Sequence, residues 1–71
     1  MTYRVNYKKI KELRQQADFT QEGFAAAIGV VLSTLRCIES GTKTPGISTL
    51  KKIAVNLKCN VDDLLYADST A

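Results

Sequence analysis

Leu32, Ser33, Arg36 and Cys37 stand at i, i+1, i+4 and i+5 of one stretch, the spacing that puts four side chains on one face of a helix. Their chemistry suits reading a surface better than transforming a substrate. Arg36 can grip guanine through two parallel N–H donors, Ser33 can donate or accept, and Leu32 or the methyl of Thr34 can pack on a thymine methyl. Two readings stay open for Cys37, a base contact or a small filler turned outward; in both its thiol should be accessible. Arg36 has its own competing reading, a phosphate contact or a surface ion pair. An ordinary solvent face is the bland alternative, but such a face seldom opens with an exposed leucine and carries only one charge.

The composition argues against catalysis and against metal. The chain has no histidine and two cysteines, so four nitrogen or sulfur ligands for a structural zinc cannot be assembled. Cys37 has no nearby base, and no acid–base pair is in place, so an enzyme is the poorest reading. No cofactor, metal or small-molecule ligand is implied. No apolar run approaches a membrane span and no signal-peptide core is present, which predicts a soluble cytoplasmic protein with reduced thiols.

The elements that must position the outward face follow from local signals. Thr20 can cap a helix whose Phe24, Ala25 and Ile28 share one side, and Gly29 permits the left-handed backbone of a sharp corner. A following helix would turn Val31, Leu35 and Ile38 inward and end at Gly41. Two short helices joined by a tight Ile28-Gly29-Val30 corner form a helix-turn-helix layout. Ahead of them Asn6 can cap a helix to about Ala17 with Ile10, Leu13 and Ala17 buried. Phe19 and Phe24 are spaced as a hydrophobic staple. Ser40 to Ile47 reads as loop, Ser48 caps a fourth helix carrying Leu50, Ile53, Ala54 and Leu57, and Asn60 caps a fifth with Cys59 and Leu64 as a second staple. The expectation is therefore an all-α, compact five-helix bundle, one domain over residues 1–71, with an N-terminal arm at 1–5 and a frayed tail at 67–71.

A chain of 71 residues buries a small core, so size alone favours a partner that adds buried surface. Net charge is +3, favouring polyanions mildly. Its distribution is more telling: Arg4, Lys8, Lys9, Lys11 and Arg14 face only Glu12 at one end, whereas Asp62, Asp63 and Asp68 follow Cys59 without a cation. Gln21 opens the second helix, where backbone N–H groups can hold a phosphate, and Thr42, Lys43 and Thr44 lie just past the third. These could clamp a nucleic-acid backbone; a solvated helix start and a solvated loop are the alternatives. Lys51, Lys52 and Lys58 read as solubility charges.

The run from Ile10 to Leu65 carries Leu13-Arg14, Thr20-Gln21, Phe24-Ala25, Ile28 to Val30, Ser33 to Leu35, Ile38 to Gly41, Pro45, and Ser48 to Leu57. Together these resemble the lambda-repressor-like or Cro-like (Xre-type) helix-turn-helix family. The resemblance implies a transcriptional regulator of repressor type that binds a short palindromic operator in double-stranded DNA, usually as a homodimer, with the third helix in the major groove. It implies base contacts at Leu32, Ser33 and Cys37, phosphate contacts at Gln21, Ser40 and Lys43, and an internal pair between Arg14 and Glu39. Dimers of this family often use the last helix. In a helix from Val61 to Tyr66 the four apolar side chains cannot all reach one core, and Leu65 and Tyr66 are the predicted contact between copies. The chain departs from the family pattern at Val31 and Leu32, at Gly23, which forgoes a capping box, and at Asp18, which tolerates a left-handed backbone. The rival reading is a protein-binding module, antitoxin-like or anti-repressor, gripping through Val30, Val31 and Leu32.

Overall fold

The computed structural model describes residues 4–66 as four α-helices and one terminal 3-10 turn: α1 (Tyr7–Gln16), α2 (Gln21–Ile28), α3 (Leu32–Ser40), α4 (Ile47–Leu57) and the turn Val61–Leu64. Asn6 caps α1 by accepting the Lys9 N–H at 3.2 Å, and Thr20 caps α2 by accepting the Gly23 N–H at 3.0 Å. α1 ends where Asp18 takes φ 62°, and α4 ends at Lys58 with φ 56°, both left-handed. Gly29 makes the corner at φ 74°, and α3 leaves α2 at a bend of 104°. That angle is what a helix-turn-helix requires.

The core is Ile10 from α1, Phe24, Ala25 and Ile28 from α2, Leu35 and Ile38 from α3, Leu50, Ile53 and Ala54 from α4, and Leu64. Each large side chain removed from water in this way contributes about 1.5–3 kcal/mol. The Phe19 and Phe24 rings meet at 5.1 Å between centroids, so the staple forms and sets the entry of α2. α3 packs on α1 and α2, and α4 packs on α2, on α1 and on the terminal turn. No single helix among the described residues is long and apolar enough to cross a membrane.

Several expectations are corrected. Val31 is not inside: it is the N-cap of α3, extended at φ −75° and ψ 155°, and 65% exposed. A cap residue precedes the helical register, so the inward spacing starts at Leu35. Ala17 is exposed, and the buried partner of Ile10 on α1 is Arg14. α4 begins at Ile47 with Gly46 as its uncapped N-cap, so Ser48 lies inside the first turn. The fifth helix is only a 3-10 turn. Asn60 is its N-cap, as expected, and the Asp63 carboxylate accepts the Asn60 N–H at 3.0 Å, but Leu65 is already extended at φ −111° and ψ 153° and pairs with Val5 in an isolated antiparallel bridge. The backbone N–H of Asn6 donates to the Leu64 carbonyl at 2.8 Å and that of Tyr66 to the Arg4 carbonyl at 2.9 Å. Main-chain pairing with residues before α1 replaces the last helical turn. Of the arm, Arg4 and Val5 are thus held against the body; the tail at 67–71 lies outside the described residues.

Candidate nucleic-acid interface

α3 starts without a side-chain cap, because valine has no acceptor to offer; its first turn relies on the Val31 carbonyl, which accepts from Thr34 and Leu35 at 3.0 and 3.1 Å. Leu35 and Ile38 anchor the inner face. Ser33, Arg36 and Cys37 are exposed, while Leu32 is half-buried. The outer face therefore exists as predicted, except that its apolar lead is shared: Leu32 is tucked partly under, and Val31 is the side chain left in solvent.

Two features hold this face rigidly. The first is a buried ion pair, Arg14 Nε donating to Glu39 Oε2 at 2.6 Å and a second guanidinium nitrogen to Oε1 at 3.3 Å. Arg14 also donates to the Phe19 carbonyl at 2.7 Å, and Gln21 Nε2 donates to Glu39 Oε1 at 3.1 Å. One carboxylate near the end of α3 is thereby tied to α1 and α2 together. The pair is desolvated but its hydrogen bonding is satisfied, the condition under which a buried ion pair is tolerated. The second is the end of α3, where Gly41 takes φ 84° and the Tyr7 ring lies so close that a Cβ there would fall 2.7 Å from it. The start of α1 thus seats on the end of α3.

The four residues singled out for phosphate contact are arranged unequally. Gln21 turns its amide inward to Glu39, and the neighbouring Glu22 puts a carboxylate in the first turn of α2. The Ser40 and Thr42 hydroxyls are exposed yet folded onto the Cys37 carbonyl, at 3.1 and 3.2 Å. That carbonyl also accepts the N–H groups of Thr42 and Lys43, at 3.0 and 3.2 Å, which seals the helix end. Lys43 is exposed, and among the described residues no salt bridge engages it. Leu65 is half-buried against the core and Tyr66 is exposed, so of the two residues predicted to join copies Tyr66 offers the larger surface. Both cysteines are free; Cys37 is exposed, and Cys59 is half-buried, where burial and then the Asp63 carboxylate push its thiol up against a smaller opposing pull from Lys9.

Sequence reasoning missed Tyr7 and the inward role of Gln21. A tyrosine just before a cationic run carries no sign that it will meet Gly41, 34 positions away by the numbering. Gln21 beside a capping threonine does carry a signal for position, though not for direction.

Known proteins share this fold. A model of the helix-turn-helix family matches residues 10–64, and the chain belongs to that family. It is 35% identical over 57 residues to the uncharacterized HTH-type transcriptional regulator YazB of Bacillus subtilis (strain 168), covering 80% of this chain and 83% of that protein. It is 41% identical over 46 residues to the cryptic phage CTXphi transcriptional repressor RstR of Vibrio cholerae, covering 65% of this chain but only 41% of the repressor. Among solved structures it resembles SinR, the master regulator for biofilm formation, in complex with DNA: 30% identity, TM-score 0.78, covering 84% of this chain and 97% of that one.

Proposed function

We propose that this chain is a sequence-specific DNA-binding regulator of transcription, of repressor type, that inserts α3 into the major groove of a short palindromic operator. The observation that carries this reading is the outward face of α3, exposed at Ser33, Arg36 and Cys37 and held from behind by the Arg14–Glu39–Gln21 network. A face fixed by buried contacts loses little freedom on docking, which favours specific recognition over loose adhesion. The named relatives and the DNA-bound structural neighbour support the same assignment. Base contacts then fall to Leu32, Ser33, Arg36 and Cys37, and backbone contacts to Lys43 with Ser40, Thr42 and the N–H groups at Gln21. Two copies, joined through Leu65 and Tyr66, would present two α3 helices about 34 Å apart, one turn of DNA.

The test is selection from a random duplex pool followed by competition with unrelated DNA. An enriched inverted repeat with half-sites one turn apart is the expected result; no enrichment at low salt overturns the reading. A second reading, a module that grips a protein, is favoured by one observation: Val31 is 65% exposed at the corner before α3. Salt separates the two, since DNA binding weakens steeply as salt rises and an apolar grip does not.

A further inference from the structure

A groove of about 280 Å3 opens where the two ends of the described chain meet the end of α3, lined by Arg4, Tyr7, Ile38, Lys43, Thr44 and Tyr66 among others. Among the described residues, none that lines it is acidic. Among the described residues the salt bridge is Arg14–Glu39, and neither Arg4 nor Lys43 pairs with a described carboxylate. Arg4 lies over the Tyr66 ring, 5.0 Å from its centroid, and the two segments are joined by the Tyr66 N–H donating to the Arg4 carbonyl at 2.9 Å. A cation over a ring face is held by the ring quadrupole without spending its N–H donors, and those donors match the oxygens of a phosphate. Tyr7, Thr44 and Tyr66 add hydroxyl donors. Lys43 and Thr44 also belong to the loop that directly follows α3, which makes the groove continuous with the face assigned to DNA.

We propose that this groove holds a backbone phosphodiester of duplex DNA, carrying the contact from α3 onto the paired segments at Arg4 and Tyr66. The proposal rests on the DNA-binding reading above. A small phosphate ester would meet the same donors; continuity with α3 selects the backbone as the occupant.

The experiment is the salt dependence of binding to a 20-base-pair mixed-sequence duplex by fluorescence anisotropy, for the wild type, Arg4→Ala, Arg4→Lys and Lys51→Ala, each checked for folding by circular dichroism. Arg4 is exposed, so its replacement leaves the core intact. Arg4→Ala is expected to weaken binding and flatten the log–log salt slope by about 0.9, one released counterion. Arg4→Lys should restore the slope but not the full affinity, because a point charge keeps the ion release and loses the planar fork of donors. Lys51→Ala, on the exposed side of α4, should leave the slope unchanged. If Arg4→Ala keeps the wild-type slope while the wild type itself is salt-dependent, the groove lies off the DNA path and the proposal fails although the DNA reading stands. The proposal fails in the same way if inorganic pyrophosphate shifts the Tyr7 and Tyr66 resonances at concentrations that leave DNA binding untouched. A wild type with no salt-dependent binding overturns both.

Discussion

Arg36 and Arg14 show how the same side chain serves opposite ends. Arg36 is exposed on α3 with its donors available; Arg14 is buried with its donors directed at Glu39 and Phe19. Arg36→Ala should therefore leave stability nearly unchanged and cost about 1–3 kcal/mol of discrimination between the selected operator and random DNA, measured by competition binding. Equal weakening on both DNAs would make Arg36 a phosphate contact. Arg14→Ala should do the reverse, stranding the Glu39 carboxylate at a cost of about 3–5 kcal/mol. In a domain whose whole stability is about 4–10 kcal/mol, that leaves a largely unfolded protein in urea or thermal melts. Replacing both partners together, Arg14→Met with Glu39→Leu, should recover most of the loss, since no uncompensated charge stays buried. Failure of the double variant to recover would mean that the pair also fixes the geometry of α3 in a way packing cannot replace.

At the scale of elements, glycine separates two roles. Gly23 lies in the first turn of α2, and a Cβ there would meet only Thr20 Oγ1, at 3.1 Å. The threonine side chain can give by a few tenths of an ångström, so Gly23→Ala should raise stability by up to about 1 kcal/mol through helix propensity. Gly41→Ala meets a left-handed backbone at φ 84° and the Tyr7 ring at 2.7 Å, so it should lose at least about 1–2 kcal/mol. Thermal melting of the two variants decides both; a stabilised Gly41→Ala would mean that the end of α3 relaxes freely and that Tyr7 does not brace it. Local signals made most of this legible. Asn6 and Thr20 act on N–H groups three residues away, and Gly29 and Gly41 end helices by their own backbone freedom. The terminal segment is the exception: its apolar spacing suits a helix, whereas pairing of Leu65 with Val5 supplies its hydrogen bonds elsewhere.

For the whole molecule the open question is how so small a surface selects a site. Doubling it is the simplest answer, and Tyr66, at 40% exposure, is the exposed member of the pair proposed to join copies. Because Tyr66 also carries Arg4, changing it touches both the proposed dimer contact and the groove; Leu65→Asn leaves the Arg4 and Tyr66 side chains in place, and circular dichroism checks that the lost packing of Leu65 on the core has not unfolded the variant. Sedimentation should give a dimer for the wild type and a monomer for Leu65→Asn, with palindromic DNA bound more weakly and without cooperativity. A wild type that sediments as a monomer well above its DNA affinity would confine pairing to the operator or exclude it.

The sequence by itself determined what is decided within one or two turns of chain: the capped starts of α1 and α2, the left-handed corner at Gly29, the inward pair Leu35 and Ile38, and hence which residues of α3 face out. Its motif spacing also carried the Arg14–Glu39 pair by resemblance. Only the tertiary structure decided that Val31 stands outside the helix register, that Gln21 turns in to Glu39, that Tyr7 braces Gly41, and that Arg4 lies over the Tyr66 ring. Each of these depends on residues 18 to 62 positions apart or on where a neighbouring element leaves room. Hydrogen-bonding and packing partners at that separation are chosen by the closed core, not by the local pattern.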